Sequence, residues 1–230
     1  MRLFYDLHLH SALSPCGDRD MTPANIVGMA GLCGLELIAL SDHNTCENCP
    51  AFLHQAEKAG LLALPAMELT TSEEVHVLCL LPGLESARAW SEFVYERLPD
   101  IANREDIFGA QEVYDASDGL VRREPRLLLS AADIGVYEVA GLLRAYGGIV
   151  VPAHVDRDAF SLLSNLGNYD PGMGFHAAEF TRRAPPNLLP EVPRLVNSDA
   201  HTLERIPDAE FSLEVDEKSP EAVIDALSKL

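Results

Sequence analysis

The stretch Asp6-Leu7-His8-Leu9-His10 sets two imidazoles two residues apart, with a carboxylate at the same spacing. In an alternating extended strand Asp6, His8 and His10 share one face, and Leu7 and Leu9 share the other. Two imidazoles so placed grip one metal ion or line a solvated sheet face, and a single His-x-His does not decide between these. Repetition decides. Ser41-Asp42-His43-Asn44 follows an apolar run, Glu68 and His76 flank a short turn, Pro152-Ala153-His154 follows another apolar run, and Asp199-Ala200-His201 comes late in the chain. Five strand-like segments thus deliver His, Asp or Glu at or near their C-terminal ends, where a barrel of parallel strands gathers its active-site groups. Imidazoles with a minority of carboxylates suit Zn, Mn or Fe rather than Mg or Ca, which favour oxygen shells. A carboxylate bridging two such cations holds them about 3.5–4 Å apart, so that a shared water attacks a phosphoester as hydroxide near neutral pH.

The elements that must position these groups alternate in the first third of the chain. Residues 3–10 read as a strand. Thr22-Pro23 supplies an N-cap and first-turn proline for a helix to about Cys33, which Gly34 ends. Residues 35–40 are a buried strand, residues 50–59 a helix closed by Gly60, and residues 61–66 a strand leading to Glu68. Residues 75–81 form a further strand. The turn before it is too short for a helix, so these two strands are expected to be antiparallel or sharply bent. Residues 85–98 are helical in pattern, and residues 99–129 read as an inserted, mainly helical lobe. Ser130 is expected to cap a helix that Gly147-Gly148 stops, followed by strands at 149–151, 175–180 and 194–197 and a helix opened by Ser219-Pro220. No repeat, low-complexity tract or interdomain linker divides the 230 residues.

Composition narrows the function classes. Seventeen basic against 36 acidic residues give a formal charge of −19, a poor match for long nucleic acid. Three divalent cations would add about six positive charges locally and leave room for a small anionic substrate. No apolar run approaches the ~20 residues of a membrane span, and no signal-peptide pattern opens the chain, so a cytoplasmic protein is expected. Five cysteines, an odd number, argue against a disulfide framework. Cys33 and Cys79 are expected in the core, and Cys46-Glu47-Asn48-Cys49 is a lone C-x-x-C without redox context.

The ordered set His8-x-His10, Asp42-His43, Glu68, His76, His154 and Asp199-x-His201 resembles the polymerase and histidinol phosphatase (PHP) family in residue type and order, over the whole chain except residues 99–129. The resemblance implies a distorted seven-stranded (β/α)7 barrel holding two to three divalent ions. His8, His10, Glu68 and Asp199 would hold the first, and Glu68 would bridge to a second completed by His76 and His154. His43 and His201 would hold the third. Asp6 and Asp42 resemble groups that orient the imidazoles through their other ring nitrogens. Cys16 stands six residues after His10, where similar proteins have a histidine. The third site is therefore completed by Cys16, by Asp18 or Asp20, or left incomplete.

Among the remaining polar residues, His54 is expected at the surface and His176 in the core. Arg157, three residues past His154, is the first candidate to bind a substrate phosphate, with Arg19 and Arg182-Arg183 as alternatives. Asp42 and Asp199 are candidates to guide a proton. The expected function is metal-dependent hydrolysis of a small phosphorylated metabolite or short nucleotide. Three alternatives remain open: a 5′-3′ exonuclease or nucleoside bisphosphate phosphatase, an amidohydrolase-type C–N hydrolase, and a non-catalytic metal-binding module.

Overall fold

A computed structural model describes all of residues 1–230. In chain order its first half comprises β1 (Arg2–Leu9), α1 (Pro23–Leu32), β2 (Leu37–Leu40), α2 (Cys49–Ala59), β3 (Leu62–Thr70), β4 (His76–Leu80), α3 (Leu84–Tyr95), α4 (Glu105–Phe108), β5 (Glu112–Tyr114) and β6 (Leu120–Arg123). The second half comprises α5 (Val139–Arg144), β7 (Ile149–Pro152), α6 (Leu162–Leu166), β8 (Ala178–Glu179), β9 (Arg194–Leu195), β10 (Ser212–Glu214) and α7 (Pro220–Ser228). The capping chemistry is local. Thr22 accepts from the Asn25 N–H ahead of Pro23, Gly60 ends α2 at φ 72°, and Ser219 accepts from the Ala222 N–H ahead of Pro220.

Six strands form one curled sheet in the order β10-β1-β2-β3-β4-β7. β1, β2 and β3 run parallel, whereas β4 is antiparallel to both β3 and β7, as the short turn before His76 requires. β8 and β9 form a separate parallel pair. They span the gap between the sheet's ends: Val155 N–H donates to the Glu179 carbonyl at 2.9 Å, and Leu9 bridges Ala200 in parallel register. The hydrogen bonding is thus a curled mixed α/β sheet with a two-stranded insert, and not one continuous seven-stranded ladder. Inside the curl, Leu3, Tyr5, Leu7, Leu37, Ala39 and Leu64 belong to a cluster of 18 buried residues, floored by Val223 and Leu227 of α7. A larger outer cluster packs the helices against the sheet. Each fully buried Leu or Ile contributes roughly 1.5–3 kcal/mol, so the inner cluster makes a firm floor beneath the polar groups at the strand ends.

Several sequence expectations change. Residues 99–129 are not mainly helical, because they hold one helical turn, α4, and the β5–β6 hairpin. Their strands are three and four residues long with β6 wholly exposed, so no apolar alternation marks them. The turn is built by Asp115, whose carboxylate accepts from the Ser117 and Gly119 N–H groups. Ser130 caps no helix; Ala132 and Asp133 donate instead to the carbonyls of Thr70 and Arg97, and α5 begins only at Val139. His176 is exposed rather than in the core, and Cys33 is only half-buried. β10 and α6 had no counterpart in the sequence pattern.

The simple alternation expected of β1 also fails. The β1–β2 register slips between Asp6 and Leu9, where three steps on β1 oppose two on β2, from Ile38 to Leu40. Leu3, Tyr5 and Leu7 alternate into the inner cluster, and after the slip Leu9 turns into the outer one. A bulge re-aims the side chains that follow it. Here those are His8 and His10.

Candidate metal centre

Six imidazoles and two carboxylates converge at one end of the sheet, where the C-terminal ends of β1, β2, β3 and β7 meet the N-terminal end of the antiparallel β4, which begins at His76. Glu68, on β3 and 1% exposed, lies at the middle. Its Oε1 stands 2.9 Å from His76 Nδ1, 3.1 Å from His154 Nε2 and 3.4 Å from His8 Nε2. Its Oε2 stands 3.2 Å from both His43 Nδ1 and His10 Nε2. The two oxygens of one carboxylate thus face two different sets of nitrogens. Asp199 Oδ1 lies 3.1 Å from His10 Nε2, 3.3 Å from His8 Nε2 and 3.6 Å from His201 Nδ1. Donor atoms lie close enough to share an ion in three groups: His8, His10, Glu68 and Asp199; His43, Glu68 and His76; and His10, His43 and His201.

Hydrogen bonds behind the rings fix which nitrogens face inward. His8 Nδ1 donates to Glu179 at 3.0 Å, and His10 Nδ1 donates to Ser14 Oγ at 2.9 Å. Ser14 in turn donates to Asp42 at 2.7 Å, and Asp42 also accepts from the Ser11 N–H and hydroxyl. With Nδ1 protonated, each neutral ring turns a lone pair inward at Nε2, and those two nitrogens stand 3.0 Å apart. Four acceptors therefore face one another across a buried space with no donor between them. Such an arrangement is repulsive unless protons or cations fill it. Asp199 Oδ1 and His43 Nδ1 are buried with no hydrogen-bond partner, as suits donor atoms aimed at a cation. The donor set fits divalent metal.

The protonation states follow the same logic. Burial alone would lower His8 and His10, but the carboxylates of Glu179, Asp199 and Glu68 outweigh it. His8 is held well above the ordinary imidazole value, and His10 is raised to about 9. Burial would raise Glu68, yet the surrounding imidazoles hold it well below the usual carboxylate range, and Asp199 behaves likewise. Burial together with the other imidazoles pushes His43 well below its usual value and His201 to about 4. Protons thus sit on some rings and not others, and a cation that enters displaces them.

Backbone strain marks the same residues. His154 adopts φ 29° and Asp199 φ 51°, while Asn44, beside His43, adopts φ 53°. Left-handed conformations at non-glycine residues cost about 1–3 kcal/mol and concentrate at functional sites. Asn44 is held by its own side chain, which accepts from Thr70 N–H at 3.0 Å and donates to the carbonyls of Leu128 and Ser130.

A cavity of about 370 Å³ opens over the cluster, lined by His43, Glu68, His76, His154, Asp199 and His201 and, on its outer side, by Arg157, Asp158, Ala159 and Phe160. Arg157 Nη1 meets Asp199 Oδ2 at 2.5 Å, and Phe160 stacks on His76 with centroids 4.9 Å apart. The structure therefore brings together His8, His10, His43, Glu68, His76, His154, Asp199, His201 and Arg157. Cys16 stands outside the three donor groups and is exposed, although the protein around its sulfur and the charges of Glu68 and Asp199 raise its thiol to about 12. Asp18 and Asp20 are also outside these groups. Asp42 is buried behind the cluster and meets His10 only through Ser14. Asp6 accepts from the backbone N–H groups of His8 and Ser198 and touches no ring; burial raises it to about 6.

Sequence reasoning missed Glu179. It is 2% exposed and accepts from His8 Nδ1, from the His154 N–H at 3.0 Å and from Asn197 Nδ2 at 2.7 Å. A lone carboxylate between Ala178 and Phe180 in an apolar segment was the available signal.

This α/β scaffold gathers at one end of its sheet a buried His/carboxylate cluster that could hold metal ions. The family model described as the PHP domain matches residues 6–143, and the chain belongs to that family. The match ends before His154, Asp199 and His201. No curated protein sequence matches the chain significantly. Among solved structures it is similar to a lesion-specific endonuclease from Pyrococcus furiosus, with TM-score 0.69 and 20% identity over 99% of this chain and 56% of that one. The chain thus spans little more than half of that enzyme, and it matches to the same extent a complex of endonuclease Q with a 27-mer duplex substrate bearing an abasic lesion at the active site, with TM-score 0.69 and 20% identity over 99% of this chain and 56% of that one. It is also similar to a protein from Bifidobacterium adolescentis described as a putative metal-dependent phosphoesterase, with TM-score 0.62 and 18% identity over 98% of this chain and 96% of that one. An amidohydrolase from Chromobacterium violaceum with bound sulfate matches with TM-score 0.60 and 16% identity over 98% and 96% of the two chains. At these identities the likeness is one of fold. No helix is long and apolar enough to cross a membrane.

Proposed function

We propose that this chain is a metal-dependent phosphoesterase that hydrolyses a small phosphorylated metabolite or short nucleotide to an alcohol and inorganic phosphate. The observation that carries the reading is the Glu68 carboxylate, whose two oxygens face separate sets of imidazoles beneath a cavity edged by Arg157. His8, His10, Glu68 and Asp199 would hold one divalent ion and Glu68, His76 and His154 a second, with His43 and His201 toward a third; Zn, Mn and Fe are the metals this donor set suits. When bound, such ions supply Lewis acidity toward phosphate oxygens and make a water acidic enough to attack near neutral pH.

The rest is assigned to the chain's own residues. Arg157 offers a planar fork to the non-bridging phosphate oxygens, which requires it to release Asp199. Phe160 covers one wall and limits water entry. Glu179 fixes the tautomer of His8, and Asp42 through Ser14 fixes that of His10. Asp42 has both oxygens engaged with Ser11 and Ser14, so its proposed role is positioning and not proton transfer. Arg157 favours phosphate over C–N substrates, which need no guanidinium at the scissile group.

The test is a phosphate-release and amide-hydrolysis panel run on protein stripped of metal and reloaded with Zn, Mn or Fe, beside Glu68→Gln treated identically. Metal-dependent phosphate release that Glu68→Gln abolishes is expected. Amide hydrolysis without phosphate release, or turnover equal in the variant, would reject the proposal.

A further inference from the structure

His76 stands apart from the other candidate ligands. It opens β4, which runs antiparallel to its neighbours, whereas the others lie at or just beyond the C-terminal ends of β1, β2, β3, β7 and β9. His8 and His10 each have a hydrogen-bonding group behind the ring, Glu179 and Ser14 respectively. The His76 ring has one polar protein partner, Glu68, whose Oε1 lies 2.9 Å from Nδ1. A ring held at one atom pivots about it unless something else fixes its plane.

Phe160 supplies that contact. Its ring stacks on His76 with centroids 4.9 Å apart and planes 19° from parallel. The other rings beside His76, those of His43 and His154, meet it at 61° and 66° and are themselves candidate ligands. The Phe160 carbonyl also accepts from the His76 N–H at 2.9 Å, so Phe160 holds His76 at both ring and backbone. It does so in the left-handed conformation, at φ 52°, which a phenylalanine adopts only where its surroundings impose it. Hydrogen bonds on both sides impose it here. Asp156 accepts from the Thr181 N–H and hydroxyl, while Ser161 donates to the Arg157 carbonyl and caps α6. Asn165 of α6 then donates to the carbonyls of Glu73 and Glu74, in the turn that leads into His76. Residues 156–166 thus form a brace docked on the start of β4. The Phe160 side chain remains 46% exposed, so burial of its own apolar surface does not account for the strain.

We propose that Phe160 is a positioning residue for His76, keeping Nδ1 turned toward the metal position shared with Glu68 and His154. It fills the place that Glu179 and Ser14 fill behind His8 and His10, by stacking instead of by a hydrogen bond. The inference rests on the metal-centre reading.

Its test reads metal affinity and needs no substrate. Metal-stripped protein would be reloaded with Zn, and the affinity of each bound equivalent measured by competition with a chelator of known affinity. Phe160→Leu keeps the bulk and the strain but loses the aromatic face, Phe160→Gly loses both ring and strain, and Phe160→Tyr keeps the face. His76→Ala marks the equivalent that His76 holds. In the leucine and glycine variants that equivalent should weaken about tenfold, the low end of what a ligand's orienting partner is worth, while the others keep their wild-type affinity. Tyrosine should restore it. Adding Phe160→Leu to His76→Ala should cost nothing further, because the ring to be positioned is already gone. In the glycine variant relief of strain should hold or raise the thermal stability of the metal-free protein, which separates lost affinity from lost folding. Circular dichroism would verify the fold of each variant, and the leucine and tyrosine pair decides by itself if glycine loosens the loop. Unchanged affinity in the leucine variant, equal weakening of all equivalents, or an additive loss in the double variant would overturn the positioning role alone. Wild type that takes up fewer than two ions would reject the shared metal centre, and the positioning role with it.

Discussion

Replacing Glu179 by glutamine isolates the group that orients His8. The carboxylate accepts three donors: the His8 ring, the His154 backbone and the Asn197 side chain. Glutamine keeps the shape but has one acceptor oxygen, so its amide group must face a donor. Either the Asn197 amide or the His154 N–H is then left unpaired in a buried place, costing roughly 1–3 kcal/mol of folding stability. The charge behind the ring also disappears, which makes Nε2 a weaker ligand. Such partners are typically worth about 10–100-fold in metal affinity, or about 1.4–2.7 kcal/mol. The pH dependence adds a sign. In the metal-free protein the carboxylates hold the His8 proton well above the ordinary imidazole value, so below that point an incoming ion must displace a proton. Glutamine weakens the hold on proton and metal together. The affinity defect should therefore be smallest near pH 6 and widen as pH rises. Competition with a chelator of known affinity, measured across pH on folded protein, reads both effects. Wild-type affinity in the variant, or a defect independent of pH, would refute the orienting role.

Ser14→Ala should cost about 1–3 kcal/mol in denaturant unfolding, since it strands the His10 Nδ1–H and the His43 N–H that Ser14 accepts; a change within error would remove Ser14 from the relay. Metal loading at pH 7 should release protons, because His10 is raised to about 9 in the metal-free protein, and apparent affinity should climb with pH toward that value. Calorimetry in buffers of different ionisation enthalpy counts those protons, and a count of zero would contradict the assignment. Gly109→Ala should destabilise the protein, because the residue sits at φ 98° and an added Cβ would lie 2.4 Å from the Pro15 carbonyl; unaltered thermal stability would contradict that packing. Cys16→Ser should leave metal stoichiometry unchanged, since the sulfur stands outside the three donor groups, and loss of one equivalent would place the thiol on an ion.

The candidate ligands were legible in the sequence because each is a polar residue in or beside an apolar run, most at its end and His76 at its start, and burial of a charged group there demands a partner. The parallel front of the sheet and the antiparallel turn before His76 were legible for a similar reason: helix caps and loop length restrict how strands connect. What the sequence concealed was carried by tertiary hydrogen bonds. Glu179 lies 171 residues beyond His8, and nothing local to either predicts the contact. The β5–β6 hairpin buries little on its outer strand, so it left no periodicity; it is fixed instead by contacts such as Tyr114 N–H to Asn48 Oδ1 and Glu112 N–H to the Ala12 carbonyl. The bulge in β1 is the most instructive case. Asp6, His8 and His10 looked coplanar under simple alternation, and the same residues do include two inward ligands. Yet Asp6 contacts backbone rather than a ring, and Leu7, not an opposing polar group, fills the floor below. No glycine or proline within β1 announces the slip. It arises where the inner floor of Leu3, Tyr5 and Leu7 gives way to the metal layer of His8 and His10 while Leu9 still has to reach the outer core, a conflict that only an extra residue on one strand resolves.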